Sequence, residues 1–274
     1  MPVISTNAAA NSAVAYLNTN SAAESAAIQK IASGSRITQA SDDAAGLAIS
    51  TSISSDITTL QQAATNASQA TSILQTADGG ASNISNILTR MKSLASESAS
   101  GTVTDSSRAY IQSEFSQLSS EIDSIASGTS YSGQNLLDGS SPFSTGVDVL
   151  VGSSASDTVS VTIANLSVAA LGIDTLDVST QAGATSAMST LDTAINTVSS
   201  ARATIGAQES RFNFSANSIS TQTQNLQSAN SAITDVDVAS EEATLSSAMV
   251  KTQAAVSAET AANQMPQYLL KLLG

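Results

Sequence analysis

The sequence predicts a mainly α-helical protein, a long antiparallel helical bundle or coiled-coil rod with paired terminal helices and a small β-hairpin element in the middle. Apolar residues recur at every seventh position from Leu191 to Ile233. Seven residues make almost two helical turns, so these side chains line one stripe of a helix. No proline interrupts the chain between Pro142 and Pro266. Weaker helical patterns near both ends flank a segment of alternating valines, which predicts the hairpin.

Composition excludes several classes of function. The 274 residues include no His, Cys or Trp, which excludes thiol nucleophiles, histidine-based acid–base catalysis and the usual zinc sites. The net charge is −13, and the 9 Lys and Arg residues form no patch that would follow a phosphate backbone. We therefore expect no enzyme activity, no catalytic residue, no cofactor, no metal and no nucleic-acid partner.

No segment has the features of a membrane span or of a secretory signal peptide. No run reaches the roughly 18 apolar residues that a membrane helix needs. No basic residue precedes Lys30, and polar residues interrupt the apolar positions before it. We expect no membrane partner and, for an exported protein, a route that does not use that signal.

The first predicted helix spans residues 3 to 33 and is marginal on its own. Gly34 is its expected C-cap. Ser41 is the expected N-cap of the next helix, with Asp42 and Asp43 in the first turn, where the helix dipole favours negative charge. The apolar pattern of the first helix consists of Val14, Leu17, Ile28 and Ile31, with Ala8, Ala15 and Ala22 at seven-residue spacing.

Further helices follow. Residues 47 to 95 keep helical apolar spacing, with a break or bend expected at Asp78-Gly79-Gly80. Residues 101 to 105 predict a turn. The clearest short helix then ends near Gly128, and its stripe consists of Ile111, Phe115, Leu118, Ile122 and Ile125.

Residues 128 to 182 change character, because glycines become frequent and two short runs in the region 140 to 180 alternate apolar with polar residues. This pattern predicts a β-hairpin. The alternating residues are Val147, Val149 and Val151 in the first run and Val159, Val161 and Ile163 in the second.

The stretch from Gly183 to Met265 has one internal glycine, Gly206, and predicts a single very long helix. The alternative is two ordinary helices with a turn, expected at Thr234-Asp235-Val236-Asp237. The apolar stripe consists of Leu191, Val198, Ile205, Phe212, Ile219, Leu226 and Ile233, and the second seam row expected beside it is mixed, with Met188, Ile195, Arg202, Glu209, Ala216, Thr223 and Asn230.

The last part of the chain predicts a weak amphipathic helix that matches the weak helix near the N-terminus. Pro266 should end this helix and leave an apolar tail that includes Leu269 and Leu270. Since marginal helices at both ends need support, we expect them to pack on each other and on other copies. The seam residues are Ala248, Ala255 and Ala262, beside Met249 and Val256.

Several of these residues resemble bacterial flagellin. The most specific run is Ile28 to Ser50 (IQKIASGSRITQASDDAAGLAIS). Four similar runs occur in the same order as in that family, and the resemblance covers residues 1 to 139 and 185 to 274. The other three runs are 3 to 7, 226 to 239 and 262 to 273.

The resemblance implies a structural subunit that polymerises into the helical flagellar filament, outside the cell, after export by the flagellar type III apparatus. It implies a short form without large outer domains. Residues 1 to 44 and 234 to 274 would form the terminal domain and residues 45 to 233 the inner domain, which includes the hairpin region. The implied partners are other copies of the chain, an export chaperone, the filament cap and hook-junction proteins.

Subunit contacts are expected on the weak terminal helices and the turn after the first of them. A flagellin-sensing Toll-like receptor is a further implied partner, through the surface formed by Arg90, Leu94 and Glu114. The alternative is that Leu94 is a core residue and that Arg90 and Glu114 are subunit contacts or plain surface. The expected subunit contacts are Ile28, Ile31, Arg36, Asp42, Asp43, Ala248, Met249, Ala255, Val256, Ala262, Leu269 and Leu270.

Three other functions compete with a filament subunit. A hook–filament junction protein has similar ends and differs in failing to form long filaments. A secreted coiled-coil translocator or adhesin would explain the helices and the apolar tail but not the ordered runs. An enzyme would need catalytic groups that this composition lacks.

Overall fold

Long helices account for most of the chain, and the predicted mainly α-helical class is confirmed. The computed structural model describes residues 6 to 273, with the side chains of residues 6 to 268. The elements in chain order are α1 (Ala8–Ser33), α2 (Ala44–Ala99), α3 (Asp105–Gly128), β1 (Ser130–Tyr131), β2 (Gln134–Asn135), β3 (Val147–Leu150), β4 (Thr158–Val161), α4 (Val168–Leu171), α5 (Gln181–Thr234) and α6 (Val238–Leu273).

The chain divides into two compact units. We call residues 1 to 55 with 225 to 274 the end unit, and residues 56 to 224 the middle unit. Helices α2 and α5 contribute to both, because each continues without a break through the boundary.

The middle unit is built on antiparallel helices. Asp78 of α2 pairs with Arg202 of α5, and Lys92 of α2 pairs with Asp192 of α5, so residue numbers rise along one helix as they fall along the other. Helix α3, the hairpin and α4 pack on the same apolar cluster, which extends along the chain from Ala67 to Phe212.

The heptad stripe of α5 is buried in the middle unit, as predicted for Leu191, Val198, Ile205, Phe212 and Ile219. The predicted second seam row is half-buried, and its apolar members Met188, Ile195 and Ala216 pack against the core. The more deeply buried neighbours lie three residues after Leu191, Val198 and Ile205 and four residues before Leu191. Most of them are alanines, whose small side chains let two helix backbones approach closely. Arg202 and Glu209 instead lie at the half-buried edge of the seam. The buried second row is Ala187, Ala194, Ala201 and Gln208.

The break or bend expected at Asp78-Gly79-Gly80 does not interrupt α2, which is one continuous helix. A Cβ atom at Gly80 would lie 2.5 Å from the Thr129 hydroxyl and 2.7 Å from a Leu137 methyl. Gly80 therefore allows a close approach between α2 and the segment after α3. Side-chain packing on either side of the two glycines outweighs their low helix propensity.

The predicted hairpin is confirmed, with β3 and β4 antiparallel and Val147 opposite Val161. The buried Gln208 amide of α5 holds the end of β4. Its Oε1 accepts from the Thr162 N–H at 3.3 Å, and its Nε2 donates to the Thr162 carbonyl at 3.1 Å. Both backbone groups of an edge residue are satisfied by one side chain.

A second, very short hairpin joins β1 to β2 and was not predicted. Ser132 and Gly133 connect the strands with positive φ of 50° and 79°. A two-residue loop with positive φ at both positions suits the twist of a hairpin. The Ser-Gly dipeptide was the signal for it.

The single very long helix expected over 183 to 265 is wrong, and the alternative of a turn at 234 to 237 is confirmed. The Thr234 carbonyl accepts from the Arg36 N–H at 2.6 Å, and the Val236 N–H donates to the Gly34 carbonyl at 3.1 Å. Neither the Thr234 carbonyl nor the Val236 N–H therefore takes part in the backbone hydrogen bonding of a continuous helix. Asp237 then caps α6 by accepting from the Ala239 and Ser240 N–H groups.

Pro266 does not end the last helix, because α6 continues to Leu273. A proline removes the N–H that would bond to the carbonyl four residues earlier, here that of Ala262. The Ala262 carbonyl accepts instead from the side-chain amide of Asn7, at 2.8 Å. The helix therefore tolerates the proline without leaving that carbonyl unbonded.

We predict that Ile205→Asp lowers the free energy of unfolding of the middle unit by about 4 kcal/mol, because it removes a core contact and buries an unpaired carboxylate. Ile205 is 2% exposed. A thermal melt followed by circular dichroism measures the effect. The matched control is Ala203→Asp, on the exposed side of the same helix, which should lower the value by less than about 1 kcal/mol, the difference in helix propensity between Ala and Asp. Identical melts for the two variants would contradict burial of the stripe.

Candidate assembly surface of the end unit

Helices α1 and α6 pair along their length, and we call them the α1–α6 pair. The buried seam between them is made almost wholly of alanine. Gly34 ends α1 in the left-handed conformation expected of a C-cap, with φ of 69°. The buried seam residues are Ala10, Ala13 and Ala27 on α1 and Ala248, Ala255 and Ala262 on α6.

Large apolar side chains of the α1–α6 pair lie outside this seam. Val250 is 67% exposed and Tyr16 is 68% exposed. We call the exposed set the outer apolar face. This is the reverse of a globular arrangement, in which the largest apolar side chains are buried first. The outer apolar face consists of Val14, Tyr16, Ile28, Val238, Met249, Val250, Val256, Met265 and Tyr268.

The outer apolar face belongs to a wider imbalance between the units. Among the residues with described side chains, all exposed large apolar residues except Tyr110 and Phe214 belong to the end unit. The continuous apolar core belongs entirely to the middle unit.

The structure divides the predicted contact residues of α1 and α6 into two groups. Ala248, Ala255 and Ala262 are buried against α1 within one chain, so they are not surface residues. Ile28, Met249 and Val256 are exposed, and Ile31 is half-buried. The side chains of Leu269 and Leu270 lie outside the described residues.

Arg36 lies at the junction where α1 ends and α5 meets α6. Its guanidinium donates to the Ile233 carbonyl at 2.8 Å, near the C-terminus of α5, where the helix dipole favours a positive charge. Beside it, Ser35 and Asp235 form an isolated antiparallel bridge. The predicted contact residue Arg36 therefore acts within the chain.

Asp43, and not Ser41, caps α2. The Asp43 Oδ1 accepts from the Gly46 N–H at 2.8 Å, while Ser41 lies in the preceding turn. Asp42 holds that turn through bonds from the N–H groups of Thr38 and Gln39. The Thr38 backbone and hydroxyl bonds stabilise the carboxylate and lower the pKa of Asp42. Both acids are thus occupied by local backbone, and in the described part of the chain no three potential ligands gather as a metal site.

The three residues of the predicted receptor surface do not form one exposed patch. Arg90 and Glu114 are exposed and form a salt bridge at 2.7 Å. Leu94 is 2% exposed and belongs to the core of the middle unit, as the alternative interpretation expects.

A charged cluster lies on the edge of the α2–α5 seam. The Arg202 Nε and Nη2 donate to the two carboxylate oxygens of Asp78, at 2.8 and 3.2 Å, and the pair raises the pKa of Arg202. Glu209 lies one heptad further along α5. Burial, with a smaller contribution from the Asp78 charge, raises the pKa of Glu209.

Sequence reasoning missed two residues of the end unit. Asn7 caps α1, since its Oδ1 accepts from the Ala10 N–H at 3.1 Å, and its Nδ2 bonds to α6. The signal was an asparagine directly before an alanine-rich helix. Asp235 was expected only as part of a turn, because pairing with Ser35 is a long-range contact without a local pattern.

The helices and their outer apolar face define a class, structural proteins that complete their packing on other chains. Within residues 6 to 273, no helix is long and apolar enough to cross a membrane. Two family models match the chain: the bacterial flagellin N-terminal helical region at residues 4–142 and the bacterial flagellin C-terminal helical region at residues 188–273.

Curated relatives and solved structures agree with these matches. The chain is 33% identical to the flagellar filament 30.7 kDa core protein of Treponema maltophilum over 258 residues, which is 90% of each chain. It is 33% identical to a flagellin of Bacillus subtilis, with 98% of this chain and 99% of the relative covered. The crystal structure of Bacillus cereus flagellin is 31% identical, with a TM-score of 0.52 over 61% of this chain and 94% of that one.

A hook-associated protein shares the fold. The structure of a flagellar hook-associated protein from Vibrio parahaemolyticus has a TM-score of 0.59 and 15% identity, over 71% of this chain and 100% of that one. At that identity the likeness concerns the fold alone. The chain belongs to the bacterial flagellin family, a family of structural proteins that form the extracellular flagellar filament.

We predict that Glu209→Gln stabilises the middle unit at pH 7. The pKa of Glu209 is raised, so its stabilising protonated form is present at low pH and is lost as the pH rises through that value. Glutamine keeps a neutral side chain at every pH. The melting temperature of the variant should exceed that of the parent at pH 7, and the gap should close as the solution is acidified. A gap that stays constant from pH 7 to pH 4 would contradict the effect of burial, and Glu114→Gln, at an exposed salt bridge, is the control.

Proposed function

We propose that this chain is a flagellar filament subunit in which the outer apolar face of each α1–α6 pair is covered by α1–α6 pairs of neighbouring copies. The observation that supports this is the reversed burial of the pair, with alanines inside and larger apolar side chains outside. A second copy is the occupant that the family favours, because filament proteins contact themselves.

The energetics of the pair favour the same proposal. Burying a methyl-sized group contributes about 0.8 kcal/mol, whereas a whole Leu, Ile or Met side chain contributes about 1.5–3 kcal/mol. A seam of alanines therefore gives the α1–α6 pair little stability within one chain. Covering Met249, Val250 and Val256 in an assembly adds the larger contributions.

A helical filament requires a contact that does not close on itself. When one surface binds a different surface of the next copy, the rotation need not close, and an open helix of subunits results. The outer apolar face contains residues of both helices, so the pair presents two unlike surfaces, one with Tyr16 and Ile28 and one with Met249 and Val256. In this proposal residues 1 to 44 and 234 to 274 form the terminal domain, and residues 45 to 233 form the inner domain.

Export and further partners are part of this proposal through the family. The chain leaves the cell through the flagellar type III apparatus, and an export chaperone covers the apolar tail that includes Leu269 and Leu270. The filament cap and hook-junction proteins bind the same end unit. Contact with a flagellin-sensing receptor would use the exposed Arg90–Glu114 pair and not the buried Leu94.

Seeded assembly tests the proposal directly. The purified chain is dissociated by heat, cooled and mixed with short filament fragments, and elongation is followed by sedimentation and electron microscopy. We expect long uniform filaments. Soluble chains or short caps alone would instead favour the hook–filament junction protein, the alternative with the same fold.

Val256→Asp should abolish seeded elongation while the thermal melt of the unassembled chain stays unchanged. The side chain is exposed in the single chain, so the carboxylate is hydrated there and becomes unfavourable only when a neighbour covers it. Val256→Leu keeps the apolar character and is the matched control, which should elongate at nearly the normal rate. Normal elongation by Val256→Asp would show that neighbours do not cover this face.

A further inference from the structure

The Asn7 side chain contacts both helices of the α1–α6 pair. Its Oδ1 accepts from the Ala10 N–H of α1 at 3.1 Å, and its Nδ2 donates to the Ala262 carbonyl of α6 at 2.8 Å. An amide side chain carries an acceptor oxygen and a donor nitrogen on the same carbon, so it can accept from one helix while it donates to the other.

The acceptor on α6 is available because of a proline. In a regular helix the Ala262 carbonyl would accept from the N–H four residues later, at position 266. That residue is Pro266, which lies inside α6 and has no N–H. Pro266 therefore frees one carbonyl in the middle of the helix, and Asn7 bonds to that carbonyl.

We propose that Asn7 sets the register of the α1–α6 pair by binding the carbonyl that Pro266 frees, and that this bond makes the pair competent to assemble. Neighbouring carbonyls of α6 already accept from their own helix, so after a shift of α1 along α6 the Asn7 amide would meet only carbonyls that already hold one hydrogen bond and are weaker acceptors. The effect on assembly rests on the function proposed above.

The alanine seam explains why a register bond is needed. Alanines on both helices make a smooth interface that fits nearly as well after a shift. Two other contacts define the same alignment: the Ser35–Asp235 bridge at the opposite end of the pair, and a hydrogen bond from the Thr252 hydroxyl to Glu24 at 3.4 Å between them. The alignment at the end of the pair remote from the bridge thus depends on Asn7.

An ordinary N-cap is the competing explanation, and substitutions at Asn7 separate the two. Asp and Ser cap helices about as well as Asn does, but neither carries an amide donor. If Asn7 were only a cap, both replacements would be neutral. As a register bond, both should weaken assembly.

The experiment measures the critical concentration for elongation from wild-type seeds. We expect Asn7→Asp and Asn7→Ser to raise it about tenfold, the effect of one lost hydrogen bond to a buried partner. Asn11→Asp makes the same chemical change on an exposed residue one turn later and should change it less than twofold. Amide hydrogen exchange over α1 in the unassembled chain gives a readout without filaments, and exchange should be faster in Asn7→Asp than in Asn11→Asp.

The same Asn7 substitution in a protein that also carries Pro266→Ala tests the role of the proline. In Pro266→Ala the new N–H donates to the Ala262 carbonyl and makes it a weaker acceptor for Asn7, so adding Asn7→Asp should raise the critical concentration less than threefold. Three outcomes would overturn the inference. Asn7→Asp could raise the critical concentration equally with and without Pro266→Ala, or it could elongate normally. The third outcome is that Asn7→Asp raises the critical concentration while Asn7→Ser does not. If the wild-type chain fails to elongate, the proposed function is wrong, and equal hydrogen exchange in Asn7→Asp and Asn11→Asp then overturns the register bond separately.

Discussion

The alanine seam between α1 and α6 is the constraint on which the end unit depends. Small side chains let two helices pair closely, but each buries little apolar area, so the stability gained within one chain is small. The larger apolar residues of the same helices are exposed. A pair built in this way is stable chiefly when something covers its outer face, and stability that comes from binding grows with the concentration of the partner. Assembly is thereby coupled to the ordering of the α1–α6 pair.

A seam of small, similar residues also gives weak positional information. In a core of mixed large side chains, shape alone fixes which residues face each other, but alanine faces alanine equally well in several alignments. Polar contacts supply the missing information in the end unit. They occur at both ends of the α1–α6 pair, at the Ser35–Asp235 bridge and at the Asn7–Ala262 bond. Directional hydrogen bonds thus fix the alignment of the helices in the end unit, whereas packing of large side chains fixes it in the middle unit.

Local patterns predicted most of the helices and the central hairpin, because heptad spacing, Gly34 as a cap and alternating valines each depend on near neighbours. Three of the errors share one cause, which is that distant residues outweighed a local signal. Pro266 is tolerated in α6 because Asn7 bonds the carbonyl it frees. Gly80 stays helical because Thr129 and Leu137 pack against it. The turn at Asp235 forms through pairing with Ser35, which no local pattern shows. Which side of α1 and α6 faces its own chain depends on the packing partner, so a local pattern could not separate the buried Ala248 from the exposed Met249.

The two units of the chain differ in where they place their large apolar residues. The middle unit buries its large apolar stripe against its own helices, so it can fold before any contact with another copy. The end unit keeps its large apolar residues outside its own seam, where they are exposed in the single chain. If both units packed fully within one chain, no apolar surface would remain to drive polymerisation. If neither did, the unassembled chain would expose continuous apolar surface and aggregate without order. Dividing the apolar residues in this way lets a single sequence keep a folded core of its own and still present apolar surface for polymerisation.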